Sequence, residues 1–254
     1  MTVHFLGTGS ALTSAQRTTT MLAFEAGPTG HTAGTTFFLV DCGGDAVQRL
    51  LVAGLDPTAV EAVVLTHEHP DHIGGFPLLI EKLWLHGRRA PIPVYGLDAT
   101  LAVARRLFEA FDTSGWKDLP PIEWWPVANV AGAAVFERGP FRVVASSVVH
   151  PVPTVGLRVE AGGVAVAYSC DTEPCDAVVA LAHGTDLLVH EATGHLPGIH
   201  SSAVEAAGVA KAAGAKRLVL IHLPPEVYAD DLLEAQATFG PTVWADEGGR
   251  LVVG

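Results

Sequence analysis

The chain has 254 residues, with 15 Lys+Arg against 27 Asp+Glu, 12 His, a formal net charge of -12 and 49% hydrophobic residues. That apolar content excludes a disordered chain, and the acidic balance gives no electrostatic footprint for duplex nucleic acid or anionic lipid. No stretch reaches the ~20 apolar residues of a membrane helix, the start at Met1 lacks the basic region of a signal peptide, and three cysteines without metal-knuckle spacing suit a reducing cytoplasm, so a cytoplasmic protein with no membrane partner is expected.

In chain order, the pattern predicts strands at Val3–Leu6, Thr20–Glu25 and Thr35–Asp41, then a helix at Asp45–Ala53. A strand at Ala62–Thr66, a helix at Phe76–Trp84, a strand at Ile92–Tyr95 and a helix at Ala99–Ala110 follow. Within residues 120–140, Glu123–Pro126 reads as an edge strand, with an apolar lid as the alternative. Strands at Phe141–Ser147, Val155–Glu160 and Val164–Ser169 precede a helix at Asp176–His183. The remainder alternates: strand Leu187–His190, helix Ser202–Ala213, strand Arg217–Ile221, helix Val227–Phe239, strand Leu251–Val253. Asp98 and Ser201 read as helix N-caps, and Gly54, Gly184, Gly214 and Gly240 follow helix ends. No linker divides the chain, so one domain spanning residues 1–254 is expected, with sheets covered by helices on their outer faces.

The histidines are not scattered. The predicted strand ending at Thr66 runs into His67-Glu-His-Pro-Asp-His72, three histidines and an aspartate within six residues. On extended chain His67 and His69 face one side and Glu68 the other. Pro70 turns the chain, so Asp71 and His72 face a second point. Burying four such groups without a metal would leave polar atoms in need of partners. Imidazole and carboxylate donors suit Zn²⁺, Mn²⁺ or Fe²⁺. His150, Asp171 and His222 each follow a predicted strand, as ligands converging on one cleft would. Gly7-Thr-Gly9 fails as a nucleotide loop, because Leu12 stands where the third glycine is needed. Cys42, Cys170 and Cys175 read as buried small residues, and His4, His31, His86, His183 and His195 belong to no motif.

Thr66-His-x-His-x-Asp-His72 with a later His, Asp and His resembles the metallo-β-lactamase superfamily. Phe5-Leu-Gly-Thr-Gly-Ser10, Asp41-Cys-Gly43, Gln48-Arg-Leu-Leu51, Tyr168-Ser-x-Asp-Thr172, His190-Glu-Ala-Thr193 and His200-Ser-Ser202 are similar to motifs of its ribonuclease Z-like branch. The resemblance implies an α/β fold of the four-layer αββα kind, two mixed β-sheets flanked by helices. It implies two divalent ions, zinc first, one held by His67, His69 and His150, the other by Asp71, His72 and His222, with Asp171 bridging. It implies a phosphodiester hydrolase using a metal-bridging hydroxide, and a homodimer. His200 is then the candidate general acid, with Glu191 as its partner, while Asp71 shares a proton with the bridging water. Ser10, Thr172 and His190 are candidate substrate contacts.

Ribonuclease Z proper carries a long tRNA-gripping arm between the third metal His and the bridging Asp. Here only 21 positions separate His150 from Asp171, and they read as two strands around Gly162-Gly163. With the net charge of -12, this moves the expectation from tRNA to a small phosphodiester or cyclic nucleotide. A tRNA 3′-processing endonuclease, a thioester or lactone hydrolase, and a non-enzymatic metal-loaded RNA-binding module are the alternatives.

Overall fold

The computed structural model describes residues 1–27 and 36–254; His31 and Thr35, the first residue of a predicted strand, lie outside the described residues. In chain order the elements are β1 (Thr2–Gly7), β2 (Met21–Ala26), β3 (Thr36–Val40), α1 (Ala46–Val52), β4 (Val60–Leu65), α2 (Pro70–Ile73), α3 (Phe76–Leu85), β5 (Ile92–Gly96), α4 (Asp98–Glu109), β6 (Ile122–Pro126) and β7 (Ala133–Arg138). They continue with β8 (Phe141–Ser147), β9 (Val155–Ala161), β10 (Val164–Tyr168), α5 (Asp176–Leu181), β11 (Leu187–Glu191), α6 (Ala203–Ala213), β12 (Leu218–Ile221), α7 (Ala229–Thr238), β13 (Thr242–Trp244) and β14 (Arg250–Val252).

The strands form two seven-stranded sheets, ordered β14-β1-β2-β3-β4-β5-β6 and β13-β12-β11-β10-β9-β8-β7. Both are mixed, because β3 to β6 and β10 to β13 run parallel while the remaining neighbours are antiparallel. Three buried clusters separate four layers. Phe24, Phe38, Val64, Val143, Leu157, Tyr168 and Val189 fill the space between the sheets. Leu39, Val63 and Val94 face the other way, onto Leu50, Phe76, Leu79 and Leu83 of α1 and α3. Leu188 and Leu220 face Val178, Ala206 and Ala210 of α5 and α6. The αββα sandwich thus follows from period-two strands with both faces apolar. Among the described residues no helix is long and apolar enough to cross a membrane.

The parallel directions matter for function. The ends of β1, β3, β4, β8, β10, β11 and β12 all open on one rim, and their following loops meet there. This is where open α/β sheets bind ligands. The loop after β3 lies flush against the loop after β4. An ideal Cβ at Gly43 would stand 1.7 Å from Asp71 O, so only glycine fits.

Some sequence expectations shift. Glu123–Pro126 lies in β6, which pairs with β5 at the sheet rim, so it is an edge strand and not a lid. The strands β7 and β13 and the single turn α2 carry no strong periodic signal and were not anticipated. Both expected caps move by one residue. Leu97 caps α4, leaving Asp98 as its first residue. Ser202 caps α6 in a reciprocal box with Glu205, while the Ser201 hydroxyl donates to Thr172 O (2.7 Å). Replacing Ser202 with alanine is expected to cost about 1 kcal/mol, lowering the Tm by roughly 2–4 °C in a thermal melt. The β9–β10 connection is the tight turn expected, with Gly162 and Gly163 both at positive φ (59° and 78°), as a two-residue hairpin requires.

Candidate metal centre

The loop after β4 supplies the first donors. His67 is buried at its start, and His69 is extended (φ -66°, ψ 146°) before Pro70 opens α2. Proline's fixed φ starts that helical turn and swings Asp71 and His72 off the line of the strand. His150 arrives from the loop after β8, Asp171 from the loop after β10, and His222 directly after β12. Asp41, Cys170 and His222 hold positive φ (61°, 54° and 55°), a backbone strain of order 1–3 kcal/mol each, concentrated at this rim.

The hydrogen bonds fix which nitrogen of each ring faces inward. The Nδ1–H of His72 donates to Asp41 Oδ2 (2.8 Å). The Nδ1–H of His150 donates to Ile199 O (2.9 Å). The Thr193 hydroxyl donates to His222 O (2.9 Å), so it accepts from His222 Nδ1–H (2.7 Å). The Thr66 hydroxyl donates to Asp41 (2.8 Å), so it accepts from His67 Nδ1–H (3.2 Å). Each ring therefore turns an Nε2 lone pair into the cleft. His67 Nε2 and His150 Nε2 lie 3.1 and 3.2 Å from His69 Nδ1. His222 Nε2 lies 3.4 Å from Asp71 Oδ2 and 3.3 Å from Asp171 Oδ2. His72 Nε2 lies 3.4 Å from Asp171 Oδ2 and 3.6 Å from Asp71 Oδ2. Buried His72 Nε2 and Asp171 Oδ1 find no hydrogen-bond partner. Lone pairs facing lone pairs and carboxylates without protons between them call for cations. The residues present fit divalent metal ions.

Four donor groups lie close enough to hold an ion among the described residues: His67/His69/His150 and Asp71/His72/Asp171/His222 converge on the cleft, a third joins Cys170 to His67 and His72, and a fourth joins Glu191 and His200 to His222. Asp171 Oδ2 also approaches His67 Nε2 (3.9 Å), which puts its carboxylate between the first two groups. The electrostatics agree. Burial and the charge of His72 push the His67 imidazole well below its usual value, toward the neutral form a ligand needs. Burial opposes ionisation of Asp171, but His222 and His72 outweigh it and hold its carboxyl well below the usual range. Burial likewise opposes charge on His72, yet Asp171 and Asp41 raise it well above the ordinary imidazole value. The centre of the cleft favours positive charge.

His200 stands beside the first two groups, its ring 5.4 Å from that of His150 and 5.5 Å from that of His222. Its Nδ1–H donates to Glu191 Oε1 (2.9 Å). Glu191 is fully buried and also accepts from the N–H groups of Thr172 (3.1 Å), Ser201 (3.1 Å) and Thr193 (2.9 Å). Burial works against a charged His200, but the Glu191 hydrogen bond and charge, with Asp171 and Asp71, raise its pKa. A protonated imidazole with Nδ1 so held presents its Nε2–H outward as a proton donor.

The three expected substrate contacts all lie buried behind the cleft surface. His190 alternates with Glu191 on β11, sharing the face of Leu188 under α6; it is wholly buried and cannot meet a substrate. Thr172 is buried, its hydroxyl donating to Glu173 O and accepting from Val149 N. Ser10 is buried, its N–H bonded to Leu223 O. The last two hold rim loops in place. Exposed His195 pairs with Glu205 (2.6 Å). Cys170 touches His67 from its Nδ1 side (3.6 Å), behind the ring, and burial raises its thiol pKa. Asp41 was missed as a site residue, although it sits in the Asp-Cys-Gly motif at the end of a predicted strand, much as His150, Asp171 and His222 sit just past theirs.

Comparison with known proteins places this geometry among relatives. The model of the beta-lactamase superfamily domain matches residues 36–223. Ribonuclease Z of Methanothermobacter thermautotrophicus is 30% identical over 305 residues, covering 97% of this chain and 95% of that protein. Ribonuclease Z of Mycobacterium bovis is 34% identical over 253 residues, covering 89% of this chain and 86% of that protein. The crystal structure of the metallo-beta-lactamase fold protein YhfI from Bacillus subtilis superposes with a TM-score of 0.80 at 25% identity, covering 98% of each chain.

Proposed function

The chain belongs to the beta-lactamase superfamily, in its ribonuclease Z-like branch, and is a metal-dependent phosphodiester hydrolase; from that premise we propose that, as one domain over residues 1–254, it cleaves small phosphodiesters or cyclic nucleotides. The convergence of Nε2 lone pairs and carboxylates on one cleft, beside a His200 whose Nδ1–H is tied to Glu191, carries this reading. Two ions, zinc first, would be held by His67, His69 and His150 and by Asp71, His72 and His222, with Asp171 between them. When bound, such ions supply Lewis acidity, water activation near neutral pH and charge neutralisation at a phosphate. The protein's own groups do the rest. Thr66, Asp41, Ile199 and Thr193 fix the ring nitrogens and so the donor geometry. Asp71, besides holding an ion, would share the proton of the attacking water. His200 Nε2–H delivers a proton to the leaving oxygen, and Glu191 holds that ring in position.

Small substrates are favoured by the short β9–β10 hairpin and by the net charge of -12. The alignment with the Methanothermobacter protein runs over 305 residues, more than the 254 of this chain, so that relative carries insertions this chain lacks. A second reading, tRNA 3′-end processing, is favoured by the 30–34% identity to proteins named ribonuclease Z.

Metal analysis followed by a hydrolysis panel tests both. The panel holds bis(p-nitrophenyl) phosphate, 3′,5′- and 2′,3′-cyclic nucleotides, precursor tRNA, a lactone and a thioester. The metal-loaded protein is expected to cleave the small diesters with higher kcat/KM than precursor tRNA. Preference for precursor tRNA selects the second reading. Failure of the fully metallated protein to cleave any phosphodiester sinks both.

A further inference from the structure

The loop over residues 8–20, between β1 and β2, carries no metal ligand and no proton donor, yet a carboxylate from the far end of the chain fastens it at both flanks. Glu247 lies in the turn between β13 and β14, which is itself fixed to β1: Gly248 N–H donates to Phe5 O and Phe5 N–H to Gly249 O (both 2.9 Å). Glu247 Oε2 accepts from the N–H and the hydroxyl of Thr8 (both 2.8 Å). Its Oε1 accepts from Thr18 N–H (3.2 Å) and from Arg49 Nη2 of α1 (2.9 Å). Arg49 also donates through Nε to Leu6 O. Four donors thus meet one ionised carboxylate, whose two oxygens can accept them all. Gly9 N–H donates to Thr18 O (2.7 Å), and the Thr20 hydroxyl donates to Gly9 O (2.9 Å), so the two flanks also close on each other.

The same loop grips the chain just past His222. Leu223 is bonded to it in both directions: its N–H donates to Thr8 O (2.8 Å), and its carbonyl accepts from Ser10 N–H (3.0 Å). Arg17 Nη1 adds bonds to Pro224 O (3.3 Å) and Pro225 O (3.4 Å). His222 holds φ at 55°, which a residue with a side chain keeps only where its surroundings impose it. Thr193 fixes its ring and carbonyl from one side, and the β1–β2 loop fixes the next three residues from the other. Direct contacts therefore run from Glu247 through Thr8 to Leu223, the residue bonded to His222. The other cleft donors arrive on other loops: His67, His69, Asp71 and His72 after β4, His150 after β8, Asp171 after β10. Among the described residues none of them hydrogen-bonds to residues 8–20.

We propose that Glu247 is a positioning residue for one metal ion only. Acting through the β1–β2 loop, it sets the pose of His222 and so the affinity of the ion held with Asp71 and His72, and leaves the ion held by His67, His69 and His150 alone. The inference rests on the two-ion reading and not on the identity of the substrate. Titrating metal-free protein with Zn²⁺ against a chromophoric chelator tests it without any turnover. Unaltered protein is expected to take up two ions. Glu247→Ala should keep the affinity for one ion within about threefold and weaken the other about 10–100-fold, the usual cost of losing a group that orients a ligand. Glu247→Gln, which keeps an oxygen for Thr8 but lacks the charge facing Arg49, should fall between. His222→Ala should weaken the same ion, and adding Glu247→Ala to it should weaken metal binding no further. A cooperative melt without metal checks that each variant folds. If neither Glu247 variant folds, Arg17→Ala, which removes only the bonds to Pro224 and Pro225, decides by the same two-ion comparison. Equal weakening of both ions, two unchanged ions, or a further loss on the His222→Ala background overturns the inference. Unaltered protein that takes up fewer than two ions overturns the two-ion reading itself, and this inference with it.

Discussion

Replacing His200 with alanine is expected to leave the metal content unchanged and to lower kcat on diesters of poor leaving groups by about 10²–10⁴-fold, the usual contribution of a positioned proton donor. Activated p-nitrophenyl esters, which need little help to expel their phenolate, should lose far less. The geometry supports this split: the His200 ring lies beside His150 and His222 but is tied through Nδ1 to Glu191, outside the two donor groups that converge on the cleft. Glu191→Gln should give a smaller loss with the same leaving-group dependence, because the amide still accepts a hydrogen bond but no longer favours the charged ring. The pH profile supplies an independent readout. Burial opposes the protonated ring, yet Glu191 raises its pKa above the ordinary imidazole value. The acid form is then lost at a higher pH than an ordinary imidazole would lose it. Unaltered protein should show an alkaline fall in kcat that His200→Ala abolishes. Equal losses on both ester classes, with metal retained, would count against the role.

The core ligands were legible in the sequence because strand period and turn chemistry act locally. His67 and His69 share a face by alternation, Pro70 ends the strand, and strand ends of parallel neighbours share a rim. The same alternation carries the correction at His190. Adjacent residues on β11 cannot both enter one cleft, and Glu191 enters it. Asp41 escaped notice because its contacts with His72 and Thr66 span 31 and 25 residues, and pairing at that range is set by the β3–β4 register, not by spacing. The cap of α6 was displaced because two serines are adjacent, and only Ser202 has a glutamate three residues on. The rim strands β6 and β7 were the least legible part. Along β6 no residue is buried, so the sequence there shows no apolar alternation to mark a strand.

Asp171→Asn is expected to remove metal binding at neutral pH and to reduce hydrolysis to background on every ester, including activated ones. One oxygen of this carboxylate approaches His67, His72 and His222 within 3.3–3.9 Å, and the other is buried without a partner. An amide keeps the shape but removes the charge that offsets two cations, and its NH₂ could turn a donor toward Nε2 lone pairs that are meant for metal. Thermal stability separates this role from mere structural damage. Metal that binds only the folded protein adds about 2.7 kcal/mol at a concentration 100 times its Kd. The melting temperature of unaltered protein should therefore climb on adding Zn²⁺ or Mn²⁺, while that of Asp171→Asn stays flat. Without metal the variant should melt somewhat lower than the unaltered protein, because a carboxylate whose pKa is depressed in the folded state stabilises it at neutral pH, so it is the missing response to metal that marks the ligand role. Asp41→Asn makes the graded comparison. It touches no cleft-facing nitrogen, only the far side of His72 and Thr66, which positions His67, so a loss of about 10–100-fold in metal affinity is expected. A variant of Asp171 that binds metal as tightly as the unaltered chain would remove the bridging carboxylate from the mechanism.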